Sequence, residues 1–576
     1  RILNILQQPI PVSQWVEAFT NWVTDTFSGL FSVLQAIGNA IMNGMTDTLL
    51  FIPPLLFIAV ITIFTYLISK RKLGLPLLTF LGLLFVYNQG LWENLMNTVT
   101  LVIVSSAISI IIGIPLGIWM AKSNRVEAAI KPLLDFMQTM PAFVYLIPAV
   151  AFFGIGMVPG VFASVIFALP PTVRFTNLAI RQIPTELIEA SDSFGGTGKQ
   201  KLFKVELPLA KNTILAGVNQ TIMLALSMVV TASMIGAPGL GRGVLSALQH
   251  ADIGSGFVNG VSLVILAIII DRLTQKLNQP LAKKSPVTAK EKRNKIILWS
   301  ALAAVILTAF VGNQVTKLQQ NKKEKVNLAY VEWDSEVAST NVVAEALKEM
   351  GYDVTITPLD NAVMWKSVAN GEADAMVSAW LPTTHAALYE EYKDKLVDLG
   401  PNLEGVKTGL VVPSYMDADS IEDLSDQAKK TITGIEPGAG IMTATEKTMQ
   451  EYSNLSGWNL SSSSTGAMTT ALDQAIKNKE DIIVTGWSPH WMFSKYDLKY
   501  LKDPKGTMGG KEAIHTITRK NLDKDLPEVN KVLDNFNWTQ KDMEEVMLKI
   551  NEGSSPEAAA KEWIKNHQKE VESWKK

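Results

Sequence analysis

Three tryptophans end three separate short apolar runs of the sequence. Trp333 ends VNLAYVEW, Trp380 ends ADAMVSAW and Trp487 ends DIIVTGW, and turn-like polar residues follow each ring. Each run is typical of a short buried strand. Indole faces attract cations, and a cage of such rings holds a quaternary ammonium group at about 0.5–2 kcal/mol per contact. The shared placement makes the three rings candidate ligands for a cation that donates no strong hydrogen bond.

A second stretch of the sequence suits an anion. TITGIEPGAGIMTATEKTM reads as a strand, a glycine-rich turn and a helix, and free N–H groups at a helix N-terminus bind anions. We expect Gly434 and Ile435 to donate to a carboxylate and His490 to add a side-chain hydrogen bond. The alternative is an ordinary turn between strand and helix. Together with the aromatic cage, this pattern predicts a zwitterionic ligand with a quaternary amine and a carboxylate, such as glycine betaine.

The elements that position these residues form an α/β pattern. Strand-like and helical segments alternate from Val326 onward. We expect the chain to cross between two lobes near Leu410–Pro413 and to return near Ala513–Thr518. The predicted lobes are lobe one, 326–410 and 515–576, and lobe two, 411–514. Ligands bind beyond the carboxyl ends of strands in such sheets.

The three rings divide between the predicted lobes. Trp333 and Trp380 belong to lobe one, and Trp487 belongs to lobe two. A pocket that needs rings from both lobes is complete only when the lobes close around the ligand by a hinge motion. The pattern therefore predicts a two-lobed domain resembling periplasmic binding proteins.

Charge divides the 576 residues into two unlike parts. Residues 1–325 contain 26 basic and 14 acidic side chains, whereas residues 326–576 contain 26 basic and 40 acidic ones. The first part is apolar and basic, and the second is polar and acidic, which indicates a membrane domain followed by a soluble domain. The chain has no cysteine, which excludes disulfides and thiolate metal sites, and its five histidines show no metal-ligand spacing. We expect no metal.

Eight segments of the first part are candidate membrane spans. A span needs about 20 largely apolar residues, and the second and seventh segments are short enough to need residues from their flanks. The candidates are Ile52–Ile68, Gly74–Tyr87, Leu95–Met120, Leu133–Phe153, Val161–Ile180, Thr213–Ile235, Val258–Ile270 and Ile296–Val311.

Basic residues between the spans predict their orientation. Alternate loops carry 19 basic residues on one side of the membrane, whereas the opposite loops before the last span carry only Arg1 and Arg242. Because basic loops stay in the cytoplasm, we expect the N-terminus and the α/β half to lie outside the cell. The basic segments are Lys70–Lys72, Lys122–Lys131, Arg181–Lys211 and Arg272–Lys295.

The predicted domains follow from these segments. Residues 1–48 contain Ser13–Ile37, which we expect to be an amphipathic helix at the outer interface or, alternatively, a helix packed against the spans. No cleavable signal peptide is expected at the start. The other predicted domains are a permease at 49–280, a linker with the last span (about 296–311) at 281–325, and the binding domain at 326–576.

One cytoplasmic loop carries a specific motif. The segment ELIEASDSFGGTGKQKLFKVELPLA resembles the coupling-loop signature of ABC importer permeases, with Glu189-Ala190-Ser191, Gly195 and Val205-Glu206-Leu207-Pro208 at the family's spacing. Ser191 and Val205 replace alanine and isoleucine. The resemblance implies that Glu189, Ala190, Gly195, Leu207 and Pro208 belong to a loop that docks on an ATP-hydrolysing partner. The chain has no Walker A sequence, so ATP and Mg²⁺ are expected on a separate subunit and no cofactor on this chain.

The second half carries a further resemblance. The sequences around Trp333, Trp380, GIEPGAG and GWSPHW resemble the glycine betaine and proline betaine binding proteins of osmoprotectant ABC importers. Fusion of such a domain to a permease is similar to the OpuA-type uptake systems. The resemblance implies a multi-pass cell-membrane protein, a type I permease followed by an external α/β binding domain, assembled as two copies of this chain with two ATPase subunits. It implies osmoprotection as the role and no nucleic-acid partner.

Three other interpretations remain open from the residues. A choline or amino-acid importer would share the architecture, although choline needs no anion site and an amino acid needs an acidic partner for its ammonium group. A membrane-tethered ligand sensor would share the binding domain but not the coupling loop. An enzyme fused to a membrane anchor would need a nucleophile–base pair or a carboxylate pair, and neither is evident in the sequence.

Overall fold

The structure, a computed structural model, describes residues 6–278 and 289–576. The chain divides into two compact units. The first, which we call the helical unit, comprises Arg1–Val244 and Phe257–Gln320, and the second, the α/β unit, comprises Leu245–Gly256 and Asn321–Lys576. The start of the predicted linker, 281–288, lies outside the described residues.

Long apolar helices form most of the first 320 residues. They are α1 (Val12–Thr26), α2 (Ser28–Phe51), α3 (Pro54–Ile68), α4 (Gly74–Asn88), α5 (Trp92–Lys122), α6 (Asn124–Thr139), α7 (Leu146–Phe153), α8 (Met157–Arg181), α9 (Thr185–Ser193), α10 (Leu207–Ser227), α11 (Leu240–Gln249), α12 (Ile253–Leu277) and α13 (Ala289–Gln319).

Five of the described helices are long and apolar enough to cross a membrane. They are Trp92–Lys122, Met157–Arg181, Gly198–Ser233, Ile253–Leu277 and Ala289–Gln319. Two bent pairs raise the number to seven if each pair is one span, and α4 is a shorter apolar helix. The chain is therefore a multi-pass membrane protein: five of the eight predicted segments lie in these helices, two lie in the bent pairs, and one lies in α4.

Proline explains where the structure departs from the prediction. The predicted span Leu133–Phe153 is broken between α6 and α7, with a bend of 102°. Met140 takes an extended conformation because Pro141 follows it, and a residue before proline avoids the helical region. Pro53 and Pro54 likewise separate α2 from α3, which meet at 94°.

The N-terminal segment is two helices rather than one. The predicted helix Ser13–Ile37 is interrupted at Phe27, where α1 ends and α2 begins. None of the residues of α1 is buried, whereas α2 buries Met42, Thr46 and Thr48 within the helical unit. Thr46 donates a hydrogen bond to Thr100 of α5 at 2.8 Å. Within the predicted segment, Phe31 stacks on Phe152 of α7 with ring centroids 4.6 Å apart, so its α2 part packs against another helix, whereas the interpretation of α1 stays a prediction.

Two glycines allow the central helices to approach closely. A Cβ on Gly117 of α5 would lie 2.7 Å from the Val173 carbonyl oxygen of α8, and a Cβ on Gly217 of α10 would lie 2.9 Å from that of Pro171. Small residues at helix contacts bring backbones together, which supplies the packing that apolar surroundings cannot. The α5–α8–α10 group is accordingly the most closely packed part of the helical unit.

The α/β unit alternates strands with helices, as predicted. Its strands are β1 (Lys325–Tyr330), β2 (Asp353–Pro358), β3 (Ala375–Leu381), β4 (Leu396–Pro413), β5 (Thr431–Thr433), β6 (Asn459–Ser461), β7 (Val484–Ser488), β8 (Leu498–Tyr500) and β9 (Glu512–Arg519). Its helices are α14 (Asp334–Glu349), α15 (Asn361–Ala369), α16 (Ala386–Tyr392), α17 (Gly440–Glu451), α18 (Thr465–Lys477), α19 (Met492–Lys495), α20 (Leu522–Asp525), α21 (Pro527–Asn535), α22 (Gln540–Asn551), α23 (Pro556–Asn566) and α24 (Gln568–Trp574).

One long strand joins the two lobes of this unit. The strands follow the order β2-β1-β3-β9-β4-β7-β5-β6, and β8 also pairs with β4. Residues Leu396–Val406 of β4 pair with β9, and Lys407–Val411 pair with β7. The chain thus passes between lobes at Val406–Lys407 and returns to the first lobe where β9 begins, at Glu512.

Candidate functional site

The three tryptophans of the predicted cage line one cavity of the α/β unit. Trp333 caps the start of α14, Trp380 lies near the end of β3 and Trp487 lies near the end of β7. The cavity together with its opening to solvent has a volume of about 360 Å³. Its lining residues are Trp333, Ser335, Trp380, Thr384, His385, Thr408, Ile435, Ala439, Gly440, Ile441 and Trp487. Strand ends from both lobes therefore meet at one place, as the sequence predicts.

The lining of this cavity is aromatic and uncharged at neutral pH. None of its eleven described residues is Asp, Glu, Lys or Arg. Burial lowers the pKa of the His385 imidazole to about 4, so this ring is neutral at pH 7. A ligand with a primary ammonium group would lack a carboxylate partner here, whereas indole faces suit a cation without N–H donors.

His385 was missed by the sequence analysis. Its ring stacks on Trp333, with centroids 6.3 Å apart and an interplanar angle of 12°. Its Nδ1 accepts the backbone N–H of Trp380 at 2.9 Å, so the neutral ring carries its proton on Nε2. This contact fixes Trp380 and Trp333 relative to each other. The signal in the sequence is a histidine five residues after a cage tryptophan.

The indole N–H of Trp333 bonds across the cleft between lobes. It donates to Glu436 Oε2 at 3.0 Å. The Glu436 carboxylate also accepts from the Thr465 backbone N–H at 3.0 Å. Because its polar edge is satisfied by the second lobe, Trp333 presents only its face to the cavity.

A second interlobe contact involves a predicted site residue. His490 Nε2 and Trp491 Nε1 of lobe two each lie 3.0 Å from Asp334 Oδ2 of lobe one. Burial by itself raises the pKa of the Asp334 carboxyl, but the hydrogen bonds from His490 and Trp491 hold that pKa below its usual value. His490 Nδ1 accepts the Met492 N–H at 3.1 Å. Nε2 of His490 thus faces Asp334 across the lobes, and His490 is not among the residues that line the cavity; its predicted contact with a ligand carboxylate stays a prediction.

Helix α17 begins at Gly440, after the glycine-rich turn, as the sequence pattern indicates. The N–H of Gly434 donates to the Ser461 carbonyl oxygen at 2.8 Å, and Gly434 does not line the cavity. Ile435 does line it, and its N–H points at the Met442 sulfur, a weak acceptor, at 3.3 Å. Donation by these two N–H groups to a ligand carboxylate stays a prediction.

Gly440 and Ile441 bring the start of a helix to the cavity. They are the first two residues of α17, and both line the cavity. The first N–H groups of a helix have no partner within the helix, and they carry the positive end of its dipole. A Cβ on Gly440 would lie 2.2 Å from the Thr384 carbonyl oxygen of lobe one. Glycine here allows the helix end to approach the opposite lobe.

A buried carboxyl supports the loop that carries Trp333. Glu336 is 1% exposed, and its Oε2 accepts the Val331 backbone N–H at 2.5 Å. Burial raises the pKa of Glu336 to about 8, although the Val331 contact acts in the opposite direction. The side chain is therefore mostly protonated at neutral pH, and it holds the end of β1 against the start of α14.

The coupling-loop residues form a helix, a glycine turn and a second helix. Glu189 and Ala190 lie on the exposed surface of α9. The helix ends at Gly195, whose φ is +74°, a conformation that favours glycine. Pro208 lies in the continuous helical segment Gly198–Ser233, where a π-helical turn at Lys201–Glu206 leads into α10. At the tip between the helices, the Phe194 side chain is 93% exposed.

The base of this loop is tied to α5. Glu206, which is 1% exposed, forms an ion pair with Lys122 at the end of α5. Leu207 follows it and packs against a small apolar cluster that includes Ala210 and Ile214. Removal of one partner from a buried ion pair leaves an uncompensated charge, so this contact fixes the loop to the membrane helices.

Comparison with known families agrees with this division of the chain. Residues 324–566 match the family described as the substrate binding domain of ABC-type glycine betaine transport systems. Residues 113–283 match the family described as the inner membrane component of binding-protein-dependent transport systems.

Individual relatives are similar to one half each. The first half is 56% identical over 272 residues to GbuB, a glycine betaine/carnitine transport permease protein of Listeria monocytogenes, covering 47% of this chain and 96% of the relative. It is also 49% identical over 268 residues to OpuAB, a glycine betaine transport system permease protein of Bacillus subtilis. This match covers 46% of this chain and 94% of the relative. The second half is 64% identical in sequence to lactococcal OpuAC, whose crystal structure is in its closed-liganded conformation complexed with glycine betaine. The match covers 44% of this chain and 100% of that chain, with a TM-score of 0.44.

The raised pKa of Glu336 predicts a loss of stability at alkaline pH. Between the ordinary pKa of 4.5 and the folded value of about 8, the folded state holds a proton that the unfolded chain has released. The free energy of unfolding should therefore fall as pH rises through this window, by an amount on the order of a few kcal/mol. In a fragment of residues 321–576, Glu336→Gln should flatten the decline in Tm between pH 5 and pH 9.

Glu349→Gln is the matched control for this measurement. Glu349 lies on the same helix, α14, but is exposed. Its replacement should leave the pH dependence of Tm as in the unmodified fragment. Equal pH profiles for Glu336→Gln and the unmodified fragment would contradict the assignment of a protonated carboxyl to Glu336.

Proposed function

We propose a function from one premise: this chain belongs to the family of ABC-type glycine betaine transport systems. It joins a permease domain to a substrate-binding domain in one membrane transport protein, and its role is transport rather than covalent chemistry. We infer that the α/β unit captures glycine betaine and that the helical unit imports it as an osmoprotectant.

The single observation that carries the choice of substrate is the composition of the cavity. Trp333, Trp380 and Trp487 supply three indole faces, and Gly440 and Ile441 supply the free N–H groups of a helix end, all in one cavity. The indoles suit a trimethylammonium group and the helix end suits a carboxylate. Glycine betaine carries both groups, whereas choline lacks the carboxylate and glycine lacks the methyl groups.

In this proposal, ATP hydrolysis by a separate ATPase subunit supplies the energy for import. The coupling loop around Glu189, Ala190, Gly195, Leu207 and Pro208 docks on a separate ATPase subunit, which binds ATP and Mg²⁺. The exposed Phe194 at the tip of this loop supports such a docking contact. Two copies of this chain pair with two ATPase subunits, and each chain contributes one binding domain.

The proposal places the binding domain outside the cell. The loops that carry 19 basic residues face the cytoplasm, where positively charged loops are retained. The coupling loop, between Arg181 and Lys211, lies on that side. The ligand is thus bound on one face of the membrane, and ATP is hydrolysed at the other.

Removal of one cage ring should weaken betaine binding selectively. With the 321–576 fragment, Trp487→Ala should raise the Kd for glycine betaine about 3- to 30-fold, since one indole contact contributes about 0.5–2 kcal/mol. Isothermal titration calorimetry with glycine betaine, choline and glycine measures this directly. Trp487→Phe keeps an aromatic face and should lose less affinity.

The three ligands distinguish the rival substrates. Betaine binding that exceeds choline and glycine binding supports a zwitterion with a quaternary amine. Equal or tighter binding of choline would exclude a role for the helix N-terminus in ligand binding. A folded fragment that binds none of the three would overturn the assignment of the cavity.

Gly440→Ala should prevent the lobes from closing fully around the ligand. Its Cβ would lie 2.2 Å from the Thr384 oxygen, a contact that exists only while the lobes are closed. We expect at least a tenfold loss of betaine affinity, equal to about 1.4 kcal/mol, with Tm of the unliganded fragment unchanged. Gly438→Ala is the control, because its Cβ would make ordinary contacts of 3.8 and 3.9 Å with Asp360. Equal affinities for the two variants would contradict this account of Gly440.

Phe194→Ala should uncouple transport from binding. In proteoliposomes with the ATPase subunit, we expect betaine-stimulated ATP hydrolysis and uptake to fall several-fold, while betaine affinity is unchanged. Ser193→Ala is the control, since Ser193 bonds only to Glu189 of its own helix. Uptake by the unmodified protein that needs no ATP would favour a carrier of another class. Betaine binding without uptake would favour a sensor.

A further inference from the structure

Three side chains that could bind a metal ion meet on the C-terminal helices of the α/β unit. Asp542 and Glu545 lie one turn apart on α22, and His567 directly follows α23. One donor atom from each lies within 4.8 Å of the other two. The sequence predicts no metal site because the ligands have no characteristic spacing; the packing of α22 against α23 brings them together.

The imidazole of His567 is held with one nitrogen directed at the carboxylates. Its Nδ1 donates to the Trp563 carbonyl oxygen at 2.8 Å, and its ring stacks on the Trp563 indole with centroids 4.3 Å apart and an angle of 9°. Metal-binding histidines are commonly oriented by this kind of contact to the second nitrogen. With the proton on Nδ1, the neutral ring has its lone pair on Nε2.

Asp542 is oriented in the same way. Its Oδ2 accepts hydrogen bonds from the backbone N–H of Thr539 at 3.0 Å and from the Thr539 hydroxyl at 2.8 Å, which form the N-terminal cap of α22. The other oxygen, Oδ1, lies 3.7 Å from His567 Nε2. Glu545 Oε2 lies 4.0 Å from the same nitrogen.

Three acceptor groups thus face one another. A neutral Nε2 lone pair and two carboxylate oxygens repel one another, and a bridging water, a proton on Nε2 or a metal ion among them relieves this repulsion. Imidazole with carboxylates is a donor set that suits Zn²⁺ and its neighbours among divalent transition metals, rather than Ca²⁺ or Mg²⁺.

We propose that Asp542, Glu545 and His567 form a binding site for Zn²⁺, separate from the ligand cavity. Donors around one ion at about 2.1 Å lie about 3–3.5 Å apart, so the present separations must shorten slightly. Glu545, which is 44% exposed, can supply most of this movement by rotation of its side chain. Water completes the coordination. The ion joins α22 to the end of α23, and its binding stabilises the folded α/β unit.

The experiment uses the full chain without an affinity tag, solubilised in detergent. Calorimetric titration with Zn²⁺ should give one saturable site per chain. Glu545→Gln should weaken this site at least tenfold, and His567→Gln should abolish it. Glu544→Gln is the matched control, because Glu544 is the exposed neighbour on the same helix and its loss removes the same charge.

A second readout tests the imidazole ligand. Co²⁺ bound at the site should give a visible absorption band that is absent in His567→Gln and present in Glu544→Gln. Betaine binding by each variant shows that the α/β unit is folded. The proposal is overturned if zinc uptake is not saturable, or if Glu545→Gln and His567→Gln bind Zn²⁺ as the unmodified chain does; Nε2 then carries a proton and the cluster is an ion pair.

Discussion

The Oδ2 oxygen of the Asp334 carboxylate has its partners on the opposite lobe, and the closed form of the α/β unit depends on that arrangement. This oxygen lies 3.0 Å from both His490 Nε2 and Trp491 Nε1. A buried charge without partners costs several kcal/mol, so water must replace His490 and Trp491 when the lobes separate. Exchange of these protein hydrogen bonds for hydrogen bonds to water changes the free energy difference between the closed and open lobes little. The contact therefore determines where the lobes meet, and ligand binding determines how much of the closed form is populated.

The same closure completes the cage. Trp333 reaches across the cleft to Glu436, whose carboxylate is already held by Thr465 within lobe two. Glu436 is thus satisfied in part before the lobes meet, and closure adds the indole N–H as a further donor. Because the polar edge of Trp333 is bonded to lobe two, its face is fixed in the cavity. One tryptophan therefore serves both closure and cation binding, which couples the two events physically.

Local patterns in the sequence predicted the aromatic half of the site. Each cage tryptophan follows its own strand, so its position depends on residues within about ten of it. The anion donors placed at Gly434 and Ile435 remain a prediction. The structure begins α17 at Gly440, and the close approach of Gly440 to Thr384 of the other lobe depends on distant residues that no local pattern shows.

Contacts between distant residues were beyond the sequence analysis. His490 contacts Asp334, which is 156 positions away in the chain, and no local pattern predicts that contact. The bent helices have a different cause. Hydropathy identifies the apolar segments, but the bends at Pro53 and Pro141 depend on the conformation that proline imposes on the preceding residue. Proline in an apolar run is therefore a signal that the count of eight spans did not use.

If ATP hydrolysis on a partner docked at the coupling loop is to move the membrane helices, the contacts between the loop and those helices must be rigid. The loop leads directly into α10, which packs on α8 at Gly217, and α8 packs on α5 at Gly117. Side chains larger than hydrogen at these positions would force the helix backbones apart. The Lys122–Glu206 ion pair joins the end of α5 to the base of the loop, so α5 is connected to the loop directly as well as through α8 and α10. A displacement of the loop cannot be absorbed by loose side chains at these contacts, so it must shift α5, α8 and α10 together.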